Sequence, residues 1–191
     1  MSTITVVRKD GYVAIAADTQ TMQGWQKESA KYVVNHQKIV NVGESYLGIV
    51  GATSGKVMLR HYFSALEKSP DFSNVDAIFA EWLQLHEALK ETYSIRPNED
   101  DDDSFESSRM DVLIANSHGI FCVGARRSVQ EFSRFCAEGS GEAYVSGAMY
   151  ALYDDRKSAE EIARAGIEAA AEFDTATGLP IISHSVKPLE N

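Results

Sequence analysis

Apolar positions change their period along this chain, and each change marks an element. Thr3–Val7 is short, β-branched and apolar, and Tyr12–Ala17 is a second such run. Asp10-Gly11 between them is a strong hairpin signal, because both central positions of a tight primed turn favour positive φ. Residues 19–30 are polar and read as a loop. Strand-like runs follow at Lys31–Val34, Lys38–Val42 and Tyr46–Val50. Gly51 and Gly55 then lead into a helix over 55–68. A second helix is predicted over 75–93, where Val75, Ile78, Phe79, Trp82, Leu85 and Leu89 recur at three-and-four spacing and Ser73 with Asp76 resembles a capping pair. A loop over 96–108, opened by Pro97, breaks the pattern. Strands return at Asp111–Asn116, Ile120–Val123 and Glu131–Cys136. After Gly139-Ser140-Gly141 a third helix runs to Leu152. Ser158 and Glu161 form a capping box for a fourth helix ending near Phe173, and a last strand is predicted over Pro180–Val186. Strands and helices come in blocks rather than in strict alternation, which predicts an α+β fold with helices packed on mainly antiparallel sheets. No repeat of solenoid length is present.

Length bounds this to a single domain over 1–191, and a composition of 44% hydrophobic and 24% charged residues is that of a chain with a real core. The formal charge of −10 repels phosphate on average, so nucleic acid is not an expected partner. No run reaches the roughly 18 apolar residues of a membrane span, and the start lacks a basic segment followed by an apolar one, so neither membrane nor signal peptide is expected. Cys122 and Cys136 have no metal-ligand spacing, and a reducing cytoplasm is the expected location. The charge is unevenly spread. Glu99-Asp100-Asp101-Asp102-Asp103 and Glu106 place six carboxylates in eight residues, and without them the formal charge would be −4.

Several familiar sites are missing: there is no His-Glu-x-x-His, no phosphate-binding loop and no Gly-x-Ser-x-Gly elbow. The five histidines are scattered, and Asp100–Asp103 lacks the alternate spacing of a calcium loop, so no metal or organic cofactor is expected. The N-terminus offers more. Removal of Met1, normal before a small residue, leaves Ser2 with a hydroxyl and a free α-amine on one residue. An α-amine titrates near 7.7–8.0, so a nearby lysine cation suffices to keep it neutral at pH 7.

The rest of the chain resembles the β-type proteasome subunits and the bacterial HslV peptidase. In that family the nucleophile opens the mature chain and an aspartate lies sixteen residues on. Counting from Ser2 gives Asp18, at the end of Val-Ala-Ile-Ala-Ala-Asp18, whereas counting from Thr3 misses by one. The family's lysine opens a strand that leads to a Gly-x-x-Gly turn. Lys38, ahead of Gly48-Ile-Val-Gly51, fits that pattern after a loop about four residues longer than usual, with Lys31 as the alternative. Gly51 matches the oxyanion-hole glycine. Gly139-Ser140-Gly141-Glu142-Ala-Tyr-Val-Ser-Gly and Phe173-Asp174-Thr175-Ala176-Thr177-Gly178 match two further segments, with Thr177 in place of serine and Phe173 in place of arginine.

The resemblance implies a four-layer αββα sandwich of two mainly antiparallel sheets flanked by helices. It implies a serine or threonine-type endopeptidase in which Ser2 attacks, Lys38 held by Asp18 tunes the amine, and Gly51 serves the oxyanion. Ser140, Asp174 and Thr177 would orient the amine and hydroxyl. Ile49 and Thr53 would flank the pocket for the side chain before the cut, implying medium apolar residues. Peptides or unfolded proteins are the implied substrates, and a stacked double ring of twelve or fourteen copies the implied assembly. The acidic stretch points within the family to the betaproteobacterial proteasome homologues and leaves an ATP-dependent unfoldase partner open. Two other readings stand beside this one: a non-proteolytic N-terminal-nucleophile amidase, and a catalytically silent proteasome-like ring protein.

Overall fold

The computed structural model describes residues 2–96 and 104–187. The N-terminal run forms β1 (Thr3–Lys9) and β2 (Tyr12–Ala17), antiparallel and closed by the predicted Asp10-Gly11 turn. Both strands are apolar on two faces because both faces are covered. Ile4, Val6, Val13, Ile15 and Ala17 face a second sheet, whereas Val7, Ala14 and Ala16 face helices α3 (Glu142–Leu152) and α4 (Ala159–Phe173). β10 (Phe135–Gly139) and β11 (Ile182–Val186) complete this sheet in the order β10-β1-β2-β11.

The second sheet runs β5 (Ile39–Val42), β6 (Ser45–Gly51), β7 (Met110–Ala115), β8 (Ile120–Val123), β9 (Val129–Phe132), every pair antiparallel. Its alternate residues again divide. Leu113, Ala115, Ile120 and Cys122 meet the first sheet. Leu47, Val112, Ile114, Phe121 and Val123 meet α1 (Thr53–Ala65) and α2 (Val75–Glu91), where Leu59, Ile78, Trp82, Leu85 and Leu89 are buried. Three apolar layers between four layers of structure make the αββα sandwich. Each fully buried Leu or Ile side chain favours it by about 1.5–3 kcal/mol.

Local differences from expectation have physical reasons. Residues 19–30 contain a short hairpin, β3 (Thr21–Gln23) paired with β4 (Gln26–Glu28); its polar composition hid it. No strand forms at Lys31–Val34, which lies in turns, since that run has no neighbouring strand to pair with. The α2 cap is Asn74, whose side chain accepts from the Ala77 N–H, rather than Ser73. The α4 capping box of Ser158 and Glu161 is present on both sides. The run at Glu131–Cys136 splits at Ser133–Arg134, where the chain leaves one sheet and enters the other. Most of the acidic stretch, Glu99–Asp103, lies outside the described residues. Its last carboxylate, Glu106, meets His86 Nε2 at 2.9 Å and accepts from Lys90 Nζ at 2.8 Å. Among the described residues, no helix is long and apolar enough to cross a membrane.

Candidate active site

β1 starts against the Gly139-Ser140-Gly141 corner that joins β10 to α3. The Ser140 N–H donates to the Ser2 carbonyl at 3.1 Å. Gly139 holds φ at +110°, and a Cβ there would stand 1.8 Å from that carbonyl oxygen, so only glycine admits the approach. Ser2 and Thr3 then point to opposite sides of the strand. Thr3 is fully buried on the helix side. Its hydroxyl accepts from the Gly141 N–H at 3.0 Å and lies 2.5 Å from the Thr177 hydroxyl. Thr177 in turn donates to Asp174 Oδ2 at 2.5 Å, and Ser140 Oγ donates to the same oxygen at 2.7 Å. Burial pushes the Asp174 carboxyl up. The Thr177 and Ser140 hydroxyls, the Ala176 N–H and the Lys38 charge outweigh it and hold it below its ordinary value.

Asp18 lies where β2 ends and is fully buried. Oδ1 accepts from the Thr3 N–H at 3.0 Å and from Lys38 Nζ at 2.6 Å. Oδ2 accepts from the Gln20 N–H at 3.0 Å and the Gly178 N–H at 3.1 Å. Four donors on one carboxylate compensate its loss of water. Lys38 precedes β5 and is itself nearly buried, and the pair forms an ion pair screened little by solvent. Burial draws the Lys38 ammonium below the ordinary lysine value, against the opposing pull of Asp18. Lys31, the other candidate lysine, is exposed and sits 5.6 Å above the Tyr32 ring.

A cleft opens at this end of the sandwich, lined by Ser2, Thr21, His36, Lys38, Ile49, Gly51, Ala52, Thr53 and Lys56. Gly51 ends β6 at φ +138°, with its α-carbon side against the Arg109 carbonyl, so a side chain there is strained. The structure thus brings Ser2, Asp18, Lys38 and Gly51 to one place, with Ile49 and Thr53 on the wall. Ser140, Asp174 and Thr177 form an adjoining cluster that reaches Ser2 through its carbonyl and through Thr3. Sequence reasoning missed Thr21, His36 and Lys56. A signal for Lys56 existed: it stands three residues after Thr53 in a helix and so shares its face.

No protein-family model matches the chain. Proteasome subunit beta 1 of Streptomyces avermitilis is 39% identical over 79 residues, which is 39% of this chain and 28% of that protein's length. The structure of Thiobacillus denitrificans BPH is 51% identical with a TM-score of 0.94, covering 99% of this chain and 100% of that one. The same protein in complex with epoxomicin gives 51% and 0.93, covering 98% and 100%. Eukaryotic HslV from Trypanosoma brucei, at 18% identity and a TM-score of 0.68 over 97% of this chain and 99% of that one, shares the fold. With half of its residues identical along the whole of the Thiobacillus protein, and with the αββα layers in place, this chain belongs to the proteasome β-type and HslV-like family.

Proposed function

We propose that this protein is an N-terminal-nucleophile endopeptidase whose nucleophile is Ser2. The observation that carries the reading is the buried Lys38–Asp18 pair, bonded to the Thr3 N–H beside a cleft that Ser2 lines. With the preceding residue removed, the Ser2 hydroxyl adds to the scissile carbonyl and its proton passes to the Ser2 amine, directly or through a water. The Lys38 cation disfavours a second positive charge close by and so keeps that amine free to accept. The Gly51 N–H donates to the developing oxyanion, a contact type worth roughly 3–4 kcal/mol of barrier. The tetrahedral adduct collapses to an ester as the amine returns its proton to the leaving peptide nitrogen; water then hydrolyses the ester. The competing hydroxyl of Thr3 is held by Gly141 and Thr177 on the far side of the strand.

Thiobacillus BPH was solved with epoxomicin, which supports inhibitor capture at the matching place in this chain. Family membership favours a double ring of identical chains acting on peptides or unfolded proteins in the cytoplasm. Large apolar side chains left uncovered, among them Trp25, Val34, Tyr150 and Phe173, suit a chain whose surface is covered by other copies. The reading is tested by the intact mass of the native-start protein set against its peptidase activity. Activity is expected in the form that begins at Ser2 and is lost when a residue precedes it. Full activity with Met1 retained would overturn the reading.

The cleft wall also bears on substrate choice. Ile49 and Thr53, the residues expected to flank the side chain before the cut, line the cleft, and Lys56 adds a charge. Its ammonium donates to the neutral Asn35 carbonyl. Burial, Arg60 and Lys38 all draw it below the ordinary lysine value. Among the described residues no carboxylate lines the cleft, so an acidic side chain before the cut would supply a counter-charge to Lys56. We therefore expect fluorogenic peptides with Glu before the cut to be favoured over Leu by about tenfold, since about 1.4 kcal/mol separates them at that ratio. Lys56→Glu should reverse the order for Glu against Arg. An unchanged order would assign the pocket to Ile49 alone.

A further inference from the structure

Two thiols and a carboxylate outside the cleft converge from the two facing sheets. Cys122 on β8 and Cys136 on β10 both point into the layer between the sheets, and both are nearly buried. Glu138 lies two residues beyond Cys136 on the same strand, so its side chain takes the same face and sits half-buried at the sheet edge. One ligand atom from each of the three lies within 4.8 Å of the others, and the Cys122 thiol donates to Glu138 Oε1 at 3.3 Å. The charges acting on that carboxylate from nearby, Asp111 and Glu142, are negative.

We propose that Cys122, Cys136 and Glu138 bind a thiophilic divalent cation of the zinc class. Zinc takes sulfur at about 2.3 Å and carboxylate oxygen at about 2.0–2.2 Å in a tetrahedron, which sets the ligand atoms roughly 3.4–3.8 Å apart. The cluster needs shifts of about an ångström at most to reach that spacing. Soft thiolates with one carboxylate select zinc over magnesium or calcium, which want oxygen alone. Binding releases the two thiol protons and leaves two thiolates and one carboxylate on the dication, a net single negative charge. Glu138 stands at the edge, where water can take the fourth position. The ion would tie β8 of one sheet to β10 of the other, and β10 runs directly into the Gly139-Ser140 corner that holds the Ser2 carbonyl. The site is a structural clamp, independent of whether Ser2 is a nucleophile.

The test uses the full chain, stripped with chelator under reducing conditions and titrated with Zn²⁺ alone. One ion per chain is expected by elemental analysis. The thermal midpoint should rise by roughly 5–10 °C at a hundredfold excess over Kd. Co²⁺ in place of Zn²⁺ should give the absorption of a tetrahedral thiolate complex. That spectrum should vanish in Cys122→Ser and in Cys136→Ser and change in Glu138→Gln, with affinity for Zn²⁺ lowered more than about 100-fold in the serine variants. A folded wild-type chain that takes up less than a stoichiometric ion and shows no zinc-dependent midpoint would overturn the proposal. So would an intact mass two hydrogens lighter in the protein as isolated from the reducing cytoplasm, which would make the pair a disulfide.

Discussion

Replacing Ser2 by alanine is expected to abolish peptide hydrolysis, with a loss on the order of 10⁵–10⁶ in kcat, the range seen when a hydrolase loses its nucleophile outright. The substitution removes one oxygen and leaves the anchoring intact, because the bond that fixes this residue runs from the Ser140 N–H to the backbone carbonyl of Ser2. Folding should therefore be unchanged, and a matched thermal midpoint is part of the expected result. Ser2→Thr should restore activity, since it keeps a hydroxyl on the same carbon. Labelling by an epoxyketone gives a second readout, because closing the adduct needs a hydroxyl for the ketone and an amine for the epoxide from one residue. The alanine variant should take no label. Persistent labelling or a loss below about tenfold would move the nucleophile elsewhere. Thr3 is then the nearest alternative, although its hydroxyl is already engaged by Gly141 and Thr177.

The four layers were legible because both sheets are buried on two faces and both helix pairs carry a clear apolar stripe. Trp82, Leu85 and Leu89 fall on one face of α2 as their spacing predicts, and Ser158 with Glu161 marks the start of α4 to the residue. What periodicity could not express was pairing. Glu131–Cys136 reads as one strand, yet it takes in the end of β9 and the start of β10, which belong to different sheets, and only the partners on either side distinguish them. The residues of the site came from register rather than from any single motif. Sixteen positions separate Ser2 from Asp18, and the structure places Asp18 against Thr3 and Lys38. The spacing ahead of Gly48 and Gly51 favours Lys38 over Lys31, and the structure puts Lys38 on Asp18 and Lys31 over the Tyr32 ring. The wall of the cleft was the least legible part. Thr21 arrives by the β3–β4 hairpin that polar composition concealed, and His36 lies just after a turn, between the runs at Lys31–Val34 and Lys38–Val42.

The Lys38–Asp18 pair predicts unequal costs for its two halves. In Lys38→Ala the Asp18 carboxylate still accepts from the Thr3, Gln20 and Gly178 N–H groups, so it keeps three donors and the fold should survive. Activity should fall by about 10²–10⁴-fold, as for loss of a group that manages a proton in the transition state. Asp18→Asn should be worse for stability, by about 3–5 kcal/mol, because it strands a buried ammonium and turns an amide toward donors that need an acceptor. The pH dependence separates an electrostatic role from a structural one. Burial sets the Lys38 value below its ordinary 10.5 in the folded chain. Between the folded and unfolded values the unfolded chain binds the proton and the folded chain does not, so this group's contribution to stability rises with pH through that window. In the proposed mechanism the cation that tunes the Ser2 amine is lost over the same window, so activity is expected to fall there. Opposite slopes of activity and stability on the alkaline side are therefore expected in the wild type. Lys38→Met, which has no proton to lose, should show neither slope from this group. Parallel slopes, or a Lys31→Ala variant that loses as much activity as Lys38→Ala, would remove Lys38 from the mechanism.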